Sequence, residues 1–296
     1  MRGSQGTTED GSWQTVTAAP SRRLGPGVLS YRGFRLDLIR PQRRIEIASG
    51  MITMVVNIRG QVRVGSLDTG AAPGSPSSVP SYTSLVNGPR CEATMGEHGG
   101  RVEGVEIHLA PWMAYSVLGD DMAQLRGRML PLSDLLGPQS RELAEQLAEA
   151  PRWADRFARV DALLGRRRAE GRAPAPQVVW AWSQLVRSDG LVPLDRLSEA
   201  TGWSTRHIEL RFRQQIGLSP KTASRVLRIQ RALRMLTGGA APSAAAAACG
   251  FYDQAHLHRD FKAMTGCTPR EFLARRSTSG RPVDRMPGRV TSALVR

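Results

Sequence analysis

Cysteine is scarce. Cys91, Cys249 and Cys267 are the only three in 296 residues, and none stands in a C-x-x-C spacing, which excludes a disulfide framework. Long apolar runs are missing too. The longest, residues 244–249, falls far short of the roughly 20 residues that cross a bilayer. The first 30 residues carry no apolar core of a secretory signal. These absences predict a soluble cytoplasmic protein with reduced thiols and no membrane partner. Enzyme motifs are lacking as well. There is no G-x-S-x-G, no glycine-rich phosphate loop and no H-E-x-x-H, so nothing at motif level argues for an enzyme, and no cofactor is expected.

Lysine is almost absent. Lys221 and Lys262 are the only two among 41 basic residues, so the formal charge of +15 is carried by arginine. Part of that excess is compositional drift in a chain rich in Arg, Ala and Gly. Its placement is more informative. Residues 1–176 hold 22 basic and 18 acidic residues, whereas residues 177–276 hold 15 and 7, and residues 277–296 hold 4 and 1. A positive excess concentrated on one block is the footprint of a polyanion partner, most often nucleic acid. The 41% apolar content suffices for a sizeable core.

Patterning divides the chain. Residues 1–27 are polar and rich in Gly, Ser and Thr, and read as a mobile tail. From about Tyr31 the apolar period is two. Phe34, Leu36 and Leu38 alternate with Arg35 and Asp37, as do Val62 and Val64 with Gln61 and Arg63, and Val105, Ile107 and Leu109 with Glu106 and His108. Such alternation marks half-buried strands. Residues 66–81, rich in Gly, Ser and Pro, read as a loop. Residues 31–110 are therefore expected to form a small antiparallel barrel or sandwich. Beyond Pro111 the spacing is helical, with Leu143 and Leu147, then Phe157, Val160 and Leu164, each on one face. The fold class is α+β, with an N-terminal domain at 28–165 that exits through a helix pair. Residues 166–176 read as a linker, with the arginine run 166–168 as a solvated helix end, and 277–296 as a basic tail.

The block at 177–276 contains a duplication. LDRLSEATGWSTRHIELRFRQQIGLSP and PSAAAAACGFYDQAHLHRDFKAMTGCTP each hold a short helix, a Gly followed by an aromatic, and a second helix. In each second helix an apolar residue stands four before a Phe (Ile208 and Phe212, Leu257 and Phe261). A Gly follows that Phe by five residues, and a Pro follows three later. The glycine lets the chain leave the first helix in a left-handed conformation. Ser204 and Asp253 are placed to cap the second helix. With Ile208, Phe212 and Ile216 inward, Thr205, Arg206, Glu209 and Arg213 face outward. With Leu257, Phe261 and Met264 inward, Gln254, His258, Arg259 and Lys262 face outward beside Ala255, with His256 on the flank. Arg and Gln near the start of such a helix suit base edges in the major groove of double-stranded DNA.

Between the copies, Ser219 and Pro220 open a helix that carries Val226, Ile229, Leu233 and Leu236 on one side and closes at Gly238 and Gly239. Some 18 helical residues span about 27 Å. A rod of that length sets two reading helices for successive major-groove segments about ten base pairs apart. Arg225, Arg228, Arg231 and Arg234 on it divide between phosphate contacts and ion pairs within the fold.

These features together resemble the AraC/XylS-type DNA-binding domain. The segment GFYDQAHLHRDFKAMTGCTPREF, residues 250–272, follows that family's signature most closely, and residues 268–271 make a capping box. Residues 31–165 resemble, more loosely, the cupin-like sensor domain of some members. The resemblance implies a sequence-specific transcription regulator, controlled by a small-molecule effector or by homodimerisation through the N-terminal domain. Two departures stand out. Pro242 and Ala245 replace large aliphatics expected in the first helix of unit two. Leu210 occupies a position where many members carry a polar or basic DNA contact.

Other candidates carry less. His98 and His108 lie in the expected barrel near Glu97 and Glu103, but with no H-x-H and no diagnostic spacing, so no metal is assigned. Cys249 aligns with a core position. The contrasting function is a cupin-type enzyme, or a DNA-repair methyl-transfer protein, fused to the same DNA-binding module. Cys91, the only cysteine outside the helical block, has no cysteine partner nearby to support it.

Overall fold

A computed structural model of the chain describes residues 1–66, 79–278, 284–286 and 289–295. The strands are β1 (Arg2–Thr8), β2 (Gly11–Ala18), β3 (Val28–Leu38), β4 (Gln42–Glu46), β5 (Ile52–Arg59), β6 (Val62–Ser66), β7 (Ser81–Tyr82), β8 (Ser84–Asn87), β9 (Thr94–His98), β10 (Arg101–Leu109), β11 (Met129–Pro131), β12 (Asp284–Met286) and β13 (Arg289–Val295). The helices are α1 (Pro111–Leu118), α2 (Leu132–Leu136), α3 (Gln139–Glu149), α4 (Trp153–Glu170), α5 (Pro176–Arg187), α6 (Leu194–Thr201), α7 (Thr205–Ile216), α8 (Pro220–Thr237), α9 (Pro242–Ala248), α10 (Gln254–Thr265) and α11 (Pro269–Thr278).

The α+β class and the helical exit are as the sequence predicts, but among the described residues no closed barrel forms. The strands make two antiparallel sheets, one ordered β1-β2-β3-β10-β5-β8-β11 and the other β12-β13-β4-β9-β6-β7. In the first, β10 lies between β3 and β5. Its alternating Val105, Ile107 and Leu109 are buried with Tyr31, Ile52, Met54 and Val56. Helices α1, α3 and α4 cover this sheet. Tyr31 stacks on Phe157 at 5.6 Å, and its hydroxyl donates to Asp161 Oδ1 at 2.6 Å. Burial, together with that carboxylate, pushes the phenol pKa up.

Three boundaries differ from the sequence reading. Residues 1–27 are not a mobile tail. They form the β1–β2 hairpin and a 3-10 turn at Arg22–Gly27, with β2 paired to β3 from Gly11↔Leu38 to Ala18↔Tyr31. Trp13, Thr15 and Thr17 alternate with Gln14, Val16 and Ala18, a period-two pattern that the high Gly and Ser content masks. The linker at 166–176 is shorter than the sequence suggests, because α4 continues to Glu170 and takes five of its eleven residues. Its arginine run is partly anchored: Arg167 Nε donates to Val117 O at 2.8 Å and Arg168 donates to Leu24 O, while Arg166 and Arg168 stay exposed. The 277–296 segment is not simply a tail, since β13 pairs with β4 from Ser292↔Glu46 to Val295↔Arg43. Val290, Thr291 and Val295 supply the β-branched residues that favour this. Most of the loop expected at 66–81 lies outside the described residues.

The two buried clusters do not respect the expected division into 28–165 and 177–276. One runs from Val16 through the first sheet and α1–α5 to Ile208, Phe212 and Leu227. The other joins Ile45, Ile47, Ala48 and Ala93 of the N-terminal part to Val226, Ile229, Leu233 and the helices of unit two. Both clusters therefore cross between the N-terminal half and the helical block. Among the described residues no helix is long and apolar enough to cross a membrane.

Candidate nucleic-acid interface

Each repeat folds as two short helices joined by a tight turn, α6–α7 in unit one and α9–α10 in unit two. Gly202 and Gly250 both sit at φ +68°, in the left-handed region where a side chain is strained. The aromatic after each glycine turns back and meets a histidine of the second helix edge-on. Trp203 and His207 ring centres are 4.6 Å apart, and Phe251 and His256 5.3 Å. The caps form as the sequence predicts. Ser204 Oγ accepts from His207 N at 3.3 Å, Asp253 Oδ1 from His256 N at 2.6 Å, and Ser219 Oγ from Thr222 N at 3.2 Å. The capping box closes both ways between Thr268 and Glu271, at 2.8 and 3.3 Å.

The inward faces are complete. Ile208, Phe212 and Ile216 are fully buried, as are Leu257 and Phe261, with Met264 nearly so. Phe212 lies 6.2 Å from Trp182, and Phe261 5.8 Å from Phe272. Between the units, α8 spans 18 residues with Val226, Ile229 and Leu233 fully buried.

On the outer face of α7, Thr205 and Arg206 are exposed, and Arg206 has no acidic partner among the described residues. Glu209 and Arg213 form an i, i+4 pair at 3.5 Å. On α10, Arg259 and Lys262 are exposed and without an acidic partner among the described residues, while Gln254 Nε2 lies 3.4 Å from His258 Nε2. His256 is the exception. It is half-buried against Phe251, its Nδ1 accepts from Tyr252 N at 3.4 Å, and its Nε2 lies 3.7 Å from Asp260. It braces the turn instead of facing outward, because residue 256 sits about 100° around the helix from the buried Leu257.

All four connector arginines are engaged within the fold, which leaves fewer for phosphates than the sequence suggested. Arg225 makes a two-pronged bond to Asp260 at 3.2 and 2.8 Å. Arg228 donates to Gly250 O at 2.9 Å and lies over the Phe251 ring. Arg231 and Arg234 reach Asp189 at 3.9 and 2.6 Å. Cys249 is fully buried, and burial pushes its thiol pKa up, as suits a packing role.

Unit one and the connector helix are each tied to residues that precede the repeat. Met122 N donates to Gln214 O at 2.9 Å, and Ala175 N to Gln215 Oε1 at 2.9 Å. Gly217, at φ +82°, caps α7 where a Cβ would collide with Pro89 and the Met122 carbonyl. On the other side, Gln230 of α8 donates to Ala48 O at 2.9 Å from a site 1% exposed. The sequence reading passed over Gln230. The available signal was a lone amide at i+4 in the apolar row 226, 229, 233.

The neighbours of Ala48 in sequence, Ile47, Ser49, Gly50 and Met51, line a cavity of about 400 Å³, whose wall also takes apolar side chains from both sheets such as Trp13, Phe34 and Val64. Arg32, Arg44, Arg90, Glu46, Glu97 and Glu106 add charge to its wall. His98 and His108 both line it too. Burial beside Arg44 holds the His98 pKa down at about 4. No three His, Cys, Asp or Glu side chains are grouped to hold a metal among the described residues.

Residues 197–275 match the protein-family model described as "Helix-turn-helix domain". Over 66 residues the chain is 41% identical to the uncharacterised HTH-type transcriptional regulator YbfI of Bacillus subtilis (strain 168); the match spans 22% of this chain and only 24% of that relative. Among solved structures, it is similar to an AraC-type DNA-binding domain-containing transcriptional regulator from Chromobacterium violaceum, 27% identical over 36% of this chain and 96% of that one, with a TM-score of 0.33. ToxT from Vibrio cholerae O395 aligns over 91% of this chain and 99% of its own, at 11% identity and a TM-score of 0.42.

Proposed function

We propose that this chain, whose C-terminal third is an AraC-type double helix-turn-helix domain, is a sequence-specific DNA-binding transcription regulator of the cytoplasm. The observation that carries the reading is the pair of matched, capped helices α7 and α10, each buried on one side and exposed on the other, on either end of the packed helix α8. Arg206 and Arg259 are its base-reading arginines, with Thr205, Gln254, His258 and Lys262 beside them. Glu209 and Arg213 act as a pair that DNA phosphates compete to open.

Regulation enters through the N-terminal half, by a small-molecule effector in the two-sheet cavity or by dimerisation of that half. Support comes from the segment 47–51, which lines the cavity on one side and meets α8 through Ala48 and Gln230 on the other. An effector with different affinities for two arrangements of this segment shifts how α8 is held, and with it the setting of the two reading helices.

The test is selection of bound sites from random DNA with the full chain, followed by Arg206→Ala and Arg259→Ala. Each substitution is expected to cost about 1–3 kcal/mol at one matched base pair. Equal loss on the selected site and on random DNA refutes the base-reading role.

A further inference from the structure

Leu210 is 64% exposed in the middle of the outer face of α7. It stands two residues after Ile208 and two before Phe212, both fully buried, and so lies about 200° around the helix from each. It therefore points straight away from the core. A solitary exposed leucine on a helix needs no explanation. This one is flanked by Arg206 and Arg213, in the block with the largest positive excess, so the surface it centres complements a polyanion.

The comparison of the two units sharpens its meaning. With Ile208 matched to Leu257 and Phe212 to Phe261, Leu210 falls on Arg259 and Arg206 falls on Ala255. All four are exposed. Each helix thus offers one guanidinium and one hydrocarbon at the same two outward positions, in opposite order.

Resting on the DNA-binding reading above, we infer that Leu210 reads the 5-methyl group of a thymine, and that the two helices read guanine and thymine in reversed sequence. In the major groove thymine alone presents a methyl, whereas an arginine pairs with guanine O6 and N7. Positions i and i+4 are about 6 Å apart along a helix, near two base steps of about 3.4 Å. Read from each helix N-terminus, box one presents guanine then thymine, to Arg206 and Leu210. Box two presents thymine then guanine, to Ala255 and Arg259.

The test uses the full chain on its selected site, remade with each thymine replaced singly by uracil, which removes only the methyl. One uracil in the box bound by α7 weakens wild-type binding roughly fourfold, the fold-change equivalent to losing burial of one methyl group. Leu210→Ser, which presents a hydroxyl in place of the hydrocarbon, binds thymine and uracil equally there and keeps its guanine preference at the Arg206 position, which shows the helix intact. Leu210→Gln, whose amide pairs with adenine N6 and N7, moves the preference at that position from thymine to adenine. A box with no uracil-sensitive position, or a sensitivity unchanged in Leu210→Ser, overturns the inference while leaving DNA binding intact. Failure of the wild-type chain to select any DNA sequence overturns both.

Discussion

Replacing Gln230 with Met tests whether the two halves are mechanically joined. The two side chains have similar length, so packing against Val226 and Leu233 is largely kept. The amide bond to Ala48 O is lost, and the carbonyl is left without that donor in a site that is 1% exposed on the Gln230 side. A net hydrogen bond contributes about 1 kcal/mol, and a buried carbonyl deprived of its partner costs about 1–3 kcal/mol. Met recovers a part through apolar burial, so the expected loss is about 1–3 kcal/mol. Because both buried clusters cross the seam, that loss falls on the whole chain. At about 2–4 °C per kcal/mol for a chain of this size, the melting temperature drops by about 2–12 °C. Urea unfolding of the full chain measures it directly, with the midpoint falling at unchanged slope. A midpoint within about 0.5 kcal/mol of wild type contradicts the claim that this bond ties α8 to the sensor half.

Asp260→Asn should loosen unit two, since Asp260 accepts both prongs of Arg225. Bonds to charged groups contribute about 1.5–3 kcal/mol, and the lower end applies because the Arg225 side chain is 39% exposed. Denaturation and DNA affinity should both fall; an unchanged unfolding midpoint speaks against the pairing. Unit two should also open before unit one in hydrogen exchange, because α9 buries Ala245 and Ala246 where α6 buries Leu197. The smaller side chains forfeit about 1–3 kcal/mol, and amides of α7 exchanging before those of α10 would reverse that assignment. His98 gives a pH dependence. Burial and Arg44 lower its folded-state pKa to about 4, so the fold favours the neutral ring while the unfolded chain takes up a proton near pH 6.5. The stabilisation is present above about pH 6.5 and is lost as pH falls toward 4; His98→Gln should flatten the curve across that window, and an unaltered profile refutes the assignment.

What the sequence revealed and what it hid follow a physical line. The double helix-turn-helix was legible because its determinants are local: glycine turns, Ser and Asp caps, and apolar residues spaced by four. The connector helix was legible for the same reason. The β1–β2 hairpin was not, since its alternation is written in Thr and Gln, and the edge that receives it lies on β3, some 20 residues on. Nor was the sheet arrangement, because alternation identifies strands but not whether they close on themselves. The partners of Arg225, Arg228 and Arg234 lie 35, 22 and 45 residues away, beyond any local pattern. The flank position of His256 was legible, but its packing against Phe251, five residues back across the turn, was not.

The most direct measurement is footprinting of the full chain on DNA recovered from a random pool. Two protected major-groove segments about ten base pairs apart on one face of the duplex are predicted, one weakened by Arg206→Ala and the other by Arg259→Ala. A single protected segment, or protection that does not depend on sequence, would contradict the reading of α7 and α10 as paired base-reading helices.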